Sequence, residues 1–244
     1  MNFNEVMQEL EAAGSEQTRK TYRRHGAKDP MFGVSFAFLG QLTKKIKSDH
    51  ALARQLWATG NLDARNLATM IADPAGATSS ELDRWASVSD GTAFSGLLSR
   101  NLVVRSPLAR TKAFAWMASK HVGTAEAGWL IVASGAERPG VFSDDDLLRL
   151  IPEIESKIHT APNWVKAAMN LALIAIGIRN ETCRKAGVAA AKRIGKVDVD
   201  HGDTSCQTPD AVTYIAKGVA HRAAKAARAR EKGKWQRRHA ASRR

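Results

Sequence analysis

Hydrophobic residues recur along most of the chain at steps of three and four, the spacing that places them on one face of an α-helix. One such stripe takes every fourth position from Val34 to Ile46, and Lys44 and Lys45 fall on other faces of the same segment. This segment is therefore predicted to be a helix with a buried side and a basic exterior. Val197–Asp200 is the only short candidate for a strand. The pattern predicts an all-α protein.

Turn-forming and capping residues divide this pattern into separate helices. The predicted helices cover about residues 4–13, 51–59 and 62–72, with further helices capped by Ser15 and by Ser143 and a last helix that begins at Pro209 behind Thr208 as its cap. Long loops are expected at 135–146 and 195–210 because glycine, proline and short polar residues concentrate there.

One short pattern returns along the chain. Residues 65–72 and 110–117 both place an arginine, then an alanine three positions on, then a large apolar residue, and residues 166–173 are a looser third copy. The first interval, 45 residues, lies in the range of HEAT and armadillo repeats, which stack antiparallel helix pairs into an α-solenoid. We therefore expect stacked helix pairs, with an irregular helical bundle as the alternative.

Positive charge is concentrated at the C-terminal end. The sequence has 37 Lys and Arg against 24 Asp and Glu, a net charge of +13. From Lys217 to Arg244 there are 11 basic residues and one acid, Glu231, so this segment has a net charge of +10. The charge predicts a polyanionic partner, with nucleic acid favoured over a membrane. We divide the chain into a helical-repeat DNA-binding domain, residues 1–216, and a basic tail, residues 217–244.

The basic residues of the tail lie all around a helix at about 100° per residue and leave no apolar stripe, so a membrane-surface helix is not expected. Such an alanine-rich segment is typical of a flexible arm that becomes ordered on a phosphate backbone. Arg222, Lys225 and Arg228 are its first candidate DNA contacts. A tail that only keeps the protein soluble is the alternative.

The sequence contains none of the glycine signatures of nucleotide binding and neither GxSxG nor HExxH. Asp200, His201, Asp203 and Cys206 include metal-ligand types, but their spacing favours a structural loop in which side chains bond nearby backbone N–H groups. We therefore expect no metal and no cofactor.

Export and membrane insertion are not indicated either. The two cysteines give no disulfide framework, and the longest apolar run, 167–178, is shorter than a membrane-spanning helix. Glutamates near the N-terminus replace the basic and apolar parts of a secretory leader. We expect a cytoplasmic, nucleoid-associated protein.

Several segments, taken in order, are similar to landmarks of a known family. They are Tyr22 with 32–34, then 51–57, 64–68, 85–89, 108–111 and 164–168. In order and spacing they resemble the DNA alkylation repair family of HEAT-like-repeat DNA glycosylases, over roughly residues 15–195. The resemblance implies a concave basic groove that binds duplex DNA and excision of purines made cationic by alkylation at N3 or N7. In that chemistry tryptophan faces attract the cationic base, an aspartate stabilises charge on the sugar, and an arginine binds phosphate.

The resemblance assigns roles to particular positions. Trp85 matches the first tryptophan and Arg110 the phosphate-binding arginine. The position of the catalytic aspartate holds Ser89, and Asp90 follows one residue later, about 100° further around a helix. The position of the second tryptophan falls at about Leu171. Trp85 and Asp90 are therefore the candidate catalytic residues.

The candidate DNA contacts of the helical body are cations on predicted helix surfaces: Arg65, Arg110, Lys166, Lys44 and Lys45. A core position for Trp85 and ordinary ion pairs for the arginines are the alternatives. We expect a monomer that binds alkylated duplex DNA. A DNA-binding or architectural protein without catalysis, and a scaffold for protein partners, are the alternative functions.

Overall fold

A computed structural model describes the backbone of residues 1–88 and 92–241 and the side chains of residues 1–88 and 94–231. Within these ranges every element of secondary structure is helical, which confirms the all-α prediction. The α-helices are α1 (Phe3–Ala12), α2 (Glu16–Arg24), α3 (Phe36–Ile46), α4 (His50–Ala58), α5 (Leu62–Ile71), α6 (Ser79–Ala86), α7 (Thr92–Leu97), α8 (Ala109–Met117), α9 (Val122–Gly135), α10 (Asp144–Lys157), α11 (Asn163–Arg179), α12 (Glu181–Ile194) and α13 (Ala211–Ala241). A π turn (Leu98–Leu102) and a 3₁₀ turn (Val103–Arg105) join α7 to α8.

The strand candidate Val197–Asp200 is wrong, because these residues lie in the loop between α12 and α13. Val197 and Val199 are buried and the aspartates beside them are exposed, so the alternation reflects a loop that presses every second side chain onto the helical core. The Asp200 amide donates to Asn163 Oδ1 at 2.8 Å and does not pair with a strand.

Two helix starts follow the predicted caps. The Ser15 hydroxyl accepts from the Thr18 amide at 3.2 Å. The Ser143 hydroxyl accepts from the Asp146 amide at 3.0 Å, and the Asp146 carboxylate accepts from the Ser143 amide at 3.0 Å. These bonds satisfy amides that a helix start leaves without an intrahelical partner.

The last helix begins two residues later than predicted. Asp210, not Thr208, is its cap, because the Asp210 carboxylate accepts from the Thr213 amide at 2.8 Å and α13 begins at Ala211. The Thr208 hydroxyl is bonded instead to the His201 ring at 3.0 Å. The hydroxyl that was expected to cap the helix is therefore bonded to another residue of the same loop.

The helices stack in two rows. The inner row contains α3, α5, α7 with the π turn, α9, α11 and α13, each packed against the next. The outer row contains α1, α4, α6, α8, α10 and α12, and most of these helices pack against the inner-row helix that follows them in the chain. The predicted architecture of stacked helix pairs is confirmed.

Glycine allows two of these pairs to approach closely. A Cβ at Gly128 of α9 would lie 2.5 Å from the Met117 amide nitrogen at the end of α8. A Cβ at Gly187 of α12 would lie 3.1 Å from the Gly177 Cα of α11. The backbones of both pairs are therefore closer than side chains at these positions would permit.

The predicted sequence repeat is only partly right. Its three copies fall in α5, α8 and α11, of which α5 and α11 belong to the inner row and α8 belongs to the outer row. Helices of both rows bury a face of alanines and large apolar residues, so the pattern does not distinguish them. Arg65 and Arg110 consequently do not occupy equivalent positions.

α13 crosses residue 216, the predicted domain boundary, without a break. Ile215 is buried, Val219 packs against the core, and a side chain at Gly218 would overlap Ile178 of α11. The described side chains from His221 onward are exposed. The division into two domains and the flexibility of the tail stay predictions.

Candidate nucleic-acid interface

An open groove of about 720 Å³ crosses the inner row. It is lined by residues of α3, α7, the π turn, α9 and α11, and by residues 201–206 of the last loop. Two of its large apolar side chains, Phe36 and Leu171, are 42% and 41% exposed, and Trp164 lines it as well. Apolar side chains exposed together in a groove mark a binding surface.

α11 supplies one side of the groove through a stripe at helical spacing. Trp164, Ala167, Leu171, Ile174 and Ile178 all line it. The remaining faces of α11 pack against α9, α12 and α13. This helix is apolar around most of its circumference because protein covers one part of it and the groove lies along another.

Small residues on the facing helices leave the groove open. Gly96 of α7 and Ala133 and Ser134 of α9 line it opposite larger side chains. Their short side chains leave this part of the groove unfilled.

The π turn brings a cation into the groove. The Ser99 hydroxyl donates to the Ala127 carbonyl of α9 at 3.0 Å, and Leu98 and Leu102 are buried. Arg100 lies between these anchors, is exposed and lines the groove. The turn thus holds an exposed guanidinium among apolar walls.

Glu137 is the carboxylate that lines the groove among the described residues, and Arg222 links it to α13. The Arg222 guanidinium lies 3.4 Å from the Glu137 carboxylate. It also donates to the carbonyls of Ile178 at 2.9 Å and of Arg179 at 2.5 Å. Carbonyls at a helix end lack intrahelical partners, so Arg222 caps α11 and fixes α13 at the rim of the groove.

Arg179 fixes the chain that follows Glu137. Its guanidinium pairs with Asp144 at 2.5 Å and donates to the carbonyls of Ala136 and Phe142. Donation from Arg179, and from Asn180, lowers the pKa of Asp144. The end of α9 and the start of α10 are therefore held together at this side of the groove.

A sequence profile described as DNA alkylation repair enzyme matches residues 6–215. The chain belongs to the DNA alkylation repair enzyme family. Uncharacterised proteins of Listeria innocua and Listeria monocytogenes are each 26% identical to it over 227 residues, which cover 89% of this chain and 97% of theirs. The family resemblance predicted from the sequence is confirmed.

A solved structure adds a second comparison. It is described as a new family of proteins related to the HEAT-like repeat DNA glycosylases with affinity for branched DNA structures. It is 32% identical to this chain, covers 91% of this chain and 95% of its own, and has a TM-score of 0.82. The HEAT-like fold expected of a DNA alkylation repair protein is therefore present.

Within this family member, Trp85 of α6 lies in the core. It is 1% exposed and stacks on Trp57 of α4, with 4.3 Å between ring centroids and 6° between ring planes. The Arg65 guanidinium lies over the Trp57 ring, 5.0 Å from its centroid. A ring covered in this way has no free face for a cationic base, so the position of Trp85 supports the core alternative. Ser89 and Asp90 lie outside the described residues.

Arg110 of α8 pairs with a neighbouring helix of the outer row, α10. Its guanidinium donates to both Asp146 oxygens of α10, at 2.9 and 2.6 Å, and lies 5.1 Å from the centroid of the Phe114 ring. Donation from Arg110 holds the pKa of Asp146 well below its usual range. The expected meeting of Trp85 and Arg110 at one groove is therefore not observed.

The other predicted DNA contacts also lie outside the groove lining. Arg65 reaches the Trp57 carbonyl, 3.5 Å from its Nε, and Lys166 is half-buried on α11. Lys45 pairs with Glu9 at 2.8 Å, and Lys44 is exposed on α3. DNA binding by these residues stays a prediction.

Sequence reasoning missed most groove residues: Phe36, Arg100 and Glu137 were not singled out, and Trp164 was noted only as part of a family landmark. A signal for the groove, though not for these residues, is the apolar run 167–178, which has no polar face. A helix of this kind needs cover on all sides or an open apolar surface. Leu171, identified only as the position of the second tryptophan, does line the groove.

The loop at 200–206 is held by its own side chains, as predicted. Asp200 Oδ1 accepts from the Gly202 amide at 2.8 Å, and the Thr204 hydroxyl accepts from the Cys206 amide at 3.3 Å. In the part of the chain that the structure describes, no three His, Cys, Asp or Glu side chains form a group that could hold a metal. No described helix is long and apolar enough to cross a membrane.

Proposed function

We propose that this protein binds branched DNA in the groove between α3 and α11. The observation that supports this most is the exposure of Phe36 and Leu171 in an open groove that Trp164 and Arg100 also line. Bases at a branch point or in an unpaired gap have free faces, and stacking on a protein ring contributes about 1–3 kcal/mol per base. Bases inside an intact duplex lack such faces. The groove therefore favours DNA in which stacking is interrupted.

The related structure supports the same proposal. Affinity for branched DNA is a stated property of that protein, and its 32% identity over 91% of this chain is the reason for extending the property here. We extend the proposal to a monomer that binds the nucleoid in the cytoplasm. A sedimentation measurement on the free protein tests the monomer.

The direct test compares a four-way junction with a linear duplex of the same total length by fluorescence anisotropy. We expect at least about tenfold tighter binding of the junction at about 150 mM salt, and affinity that falls as salt rises because phosphate contacts release counterions. Equal affinity for the two DNAs would contradict the proposal. Absence of binding even at low salt would favour the scaffold for protein partners.

A matched pair of variants tests the groove itself. Leu171→Ala removes an apolar side chain from the groove, and Val122→Ala removes one of similar exposure, 43%, from the start of α9 outside the groove lining. We expect Leu171→Ala to raise the Kd for the junction about five- to tenfold, the equivalent of about 1 kcal/mol of apolar contact. Val122→Ala should leave it within about twofold. Equal effects would exclude the groove as the binding site.

Excision of cationic N3- or N7-alkylated purines is the second candidate function, and it is favoured by the Glu137 carboxylate in the groove together with the match to the family model. A carboxylate stabilises the positive charge that develops on the sugar. In this reaction the bond from C1′ to the base nitrogen breaks and its electron pair leaves with the base. A water oxygen then bonds to C1′ and releases its proton to the carboxylate or to solvent.

The excision test counts abasic sites formed in a duplex that contains N7-methylguanine. We expect release by the wild-type protein and a loss on the order of 100-fold in Glu137→Gln, with DNA affinity measured in parallel because this change also removes the Arg222 pair. Asp90→Asn is the companion variant, since Asp90 is the carboxylate that the family resemblance suggested. No release with binding retained would leave a DNA-binding protein without catalysis.

A further inference from the structure

α13 leaves the helical body along one face and continues beyond it. Ile215, Val219 and Arg222, at steps of four and three, contact the body, and Arg222 is the last described residue of α13 that does so. The side chains of residues 223–231 are exposed. Beyond Arg222, α13 is therefore a helix without protein cover along the part whose side chains the structure describes.

A second line of residues on α13 lies to the side of this contact face. We name it the α13 stripe and define it as Tyr214, Lys217, His221, Lys225 and Arg228. At about 100° per residue these five positions fall within a sector of about 80°. All five are exposed, and Lys217 Nζ lies 5.2 Å from the centroid of the Tyr214 ring.

Among the described residues, the cations of the α13 stripe have no acidic partner. No described carboxylate forms an ion pair with Lys217, Lys225 or Arg228, whereas Arg222 on the contact face pairs with Glu137. Glu231 lies outside the sector, and Arg230 lies about opposite its centre. The positive charge of the stripe is thus available to a ligand.

The length and spacing of the stripe fit a nucleic-acid backbone. From Tyr214 to Arg228 the helix rises about 21 Å at 1.5 Å per residue. One strand of B-DNA has a phosphate about every 3.4 Å along the axis, so this length spans about six phosphates. Lys217, Lys225 and Arg228 lie about 12 and 4.5 Å apart along this axis at 1.5 Å per residue, and their long flexible side chains can reach separate phosphates of one strand.

We propose that the α13 stripe is a second DNA-binding surface, which holds the phosphate backbone of a duplex arm next to a branch point in the groove. This inference rests on the proposed function, because the duplex arm belongs to the DNA that the groove binds. Arg222 joins the two surfaces, since it touches groove-lining Glu137 and caps α11. Arg222 is therefore a positioning residue, and the phosphate contacts come from the stripe.

Arg228→Ala and Arg230→Ala form a matched pair that tests this surface. Both remove one exposed arginine from the same helix, two residues apart, but only Arg228 belongs to the stripe. Alanine is a better helix former than arginine, so neither change should break α13. We expect Arg228→Ala to weaken binding of a junction with arms of about 20 base pairs about five- to tenfold, and Arg230→Ala to change it less than twofold. Equal losses, or no loss from either, would overturn the proposal.

Salt dependence gives a second readout that a general charge effect would not reproduce. Each phosphate contact contributes about 0.9 to the slope of log affinity against log salt. The triple variant Lys217→Ala, Lys225→Ala, Arg228→Ala should therefore lower this slope by two to three on the long-armed junction. On a junction with arms too short to reach α13 the triple variant should bind like the wild-type protein. Equal slopes for wild type and variant on the long-armed junction would exclude the stripe.

The two proposals can fail separately. If Leu171→Ala has no effect while the triple variant loses affinity for linear and branched DNA alike, the groove proposal fails and the stripe is a plain duplex-binding surface. If Leu171→Ala weakens junction binding and the stripe variants do not, the groove stands and the stripe is excluded. Circular dichroism of each variant shows whether helix content is retained.

Discussion

Glu126 is a buried acid whose ionisation the folded protein opposes. It lies in α9, is 3% exposed, and bonds to the side chain of Ser95, while its Oε1 has no hydrogen-bond partner among the described residues. Burial raises the pKa of Glu126 to about 7. A buried carboxylate without full hydrogen bonding is costly, so the neutral form is favoured up to that pH.

The sign and size of the resulting pH dependence follow from linkage. Below the ordinary pKa of 4.5 both folded and unfolded chains keep this proton. Between 4.5 and about 7 the unfolded chain releases it and the folded chain does not, so the free energy of unfolding falls as pH rises. At about 1.4 kcal/mol per pKa unit, the loss is about 3 kcal/mol and is complete above pH 7.

Glu126→Gln removes this titration while keeping the shape of the side chain. We expect the variant to be more stable than the wild-type protein at pH 8 by up to about 3 kcal/mol, and to differ by less than about 1 kcal/mol at pH 5. Urea unfolding followed by tryptophan fluorescence from pH 5 to 8 measures the difference. Glu153→Gln makes the same change at a partly exposed carboxylate, which pairs with Lys157, and is the control for loss of one glutamate charge. A flat difference for Glu126→Gln would refute this account of the buried acid.

Other predictions concern packing and capping. Gly128→Ala should destabilise the protein by about 2 kcal/mol because its Cβ would overlap α8, whereas Gly40→Ala, with open space around it, should stabilise α3 by up to about 1 kcal/mol; thermal melts compare the two. Asp63→Asn should cost about 2 kcal/mol in urea unfolding, since the carboxylate accepts from three backbone amides at 2.7, 2.9 and 3.0 Å. Asp146→Asn should destabilise at pH 7, and the difference should shrink as pH falls below the ordinary pKa of 3.8, because Arg110 stabilises the ionised form; urea unfolding at pH 7 and pH 3 shows the change.

The sequence predicts best the features that depend on neighbouring residues. A cap such as Ser15 or Ser143 acts on an amide three positions away, and both were identified correctly. Thr208 failed as a cap because a residue elsewhere in the last loop, His201, bonds its hydroxyl. The family was predicted because its landmarks extend along the chain in order, and no single landmark had to be decisive.

The candidate site depends on which row each helix occupies, and local patterns do not contain that information. α5 and α8 share a pattern but lie in different rows, and Arg110, which the resemblance places at a phosphate, pairs with Asp146 of α10. Tryptophan is a residue type that can bind a base, but Trp85 stacks on Trp57 because α4 and α6 bring the two rings together. Leu171 was placed at the site only through the family resemblance.

The direction in which Arg100 points depends on the number of residues in the π turn at Leu98–Leu102. A π turn holds one residue more than the α-helical turn it replaces. Deleting one residue of this turn before Arg100 would restore an ordinary turn and rotate Arg100 and the chain after it by about 100°, which would take the guanidinium away from the apolar walls. Insertion or deletion of a single residue in this turn therefore changes the charge that lines the groove, with the composition of the chain almost unchanged.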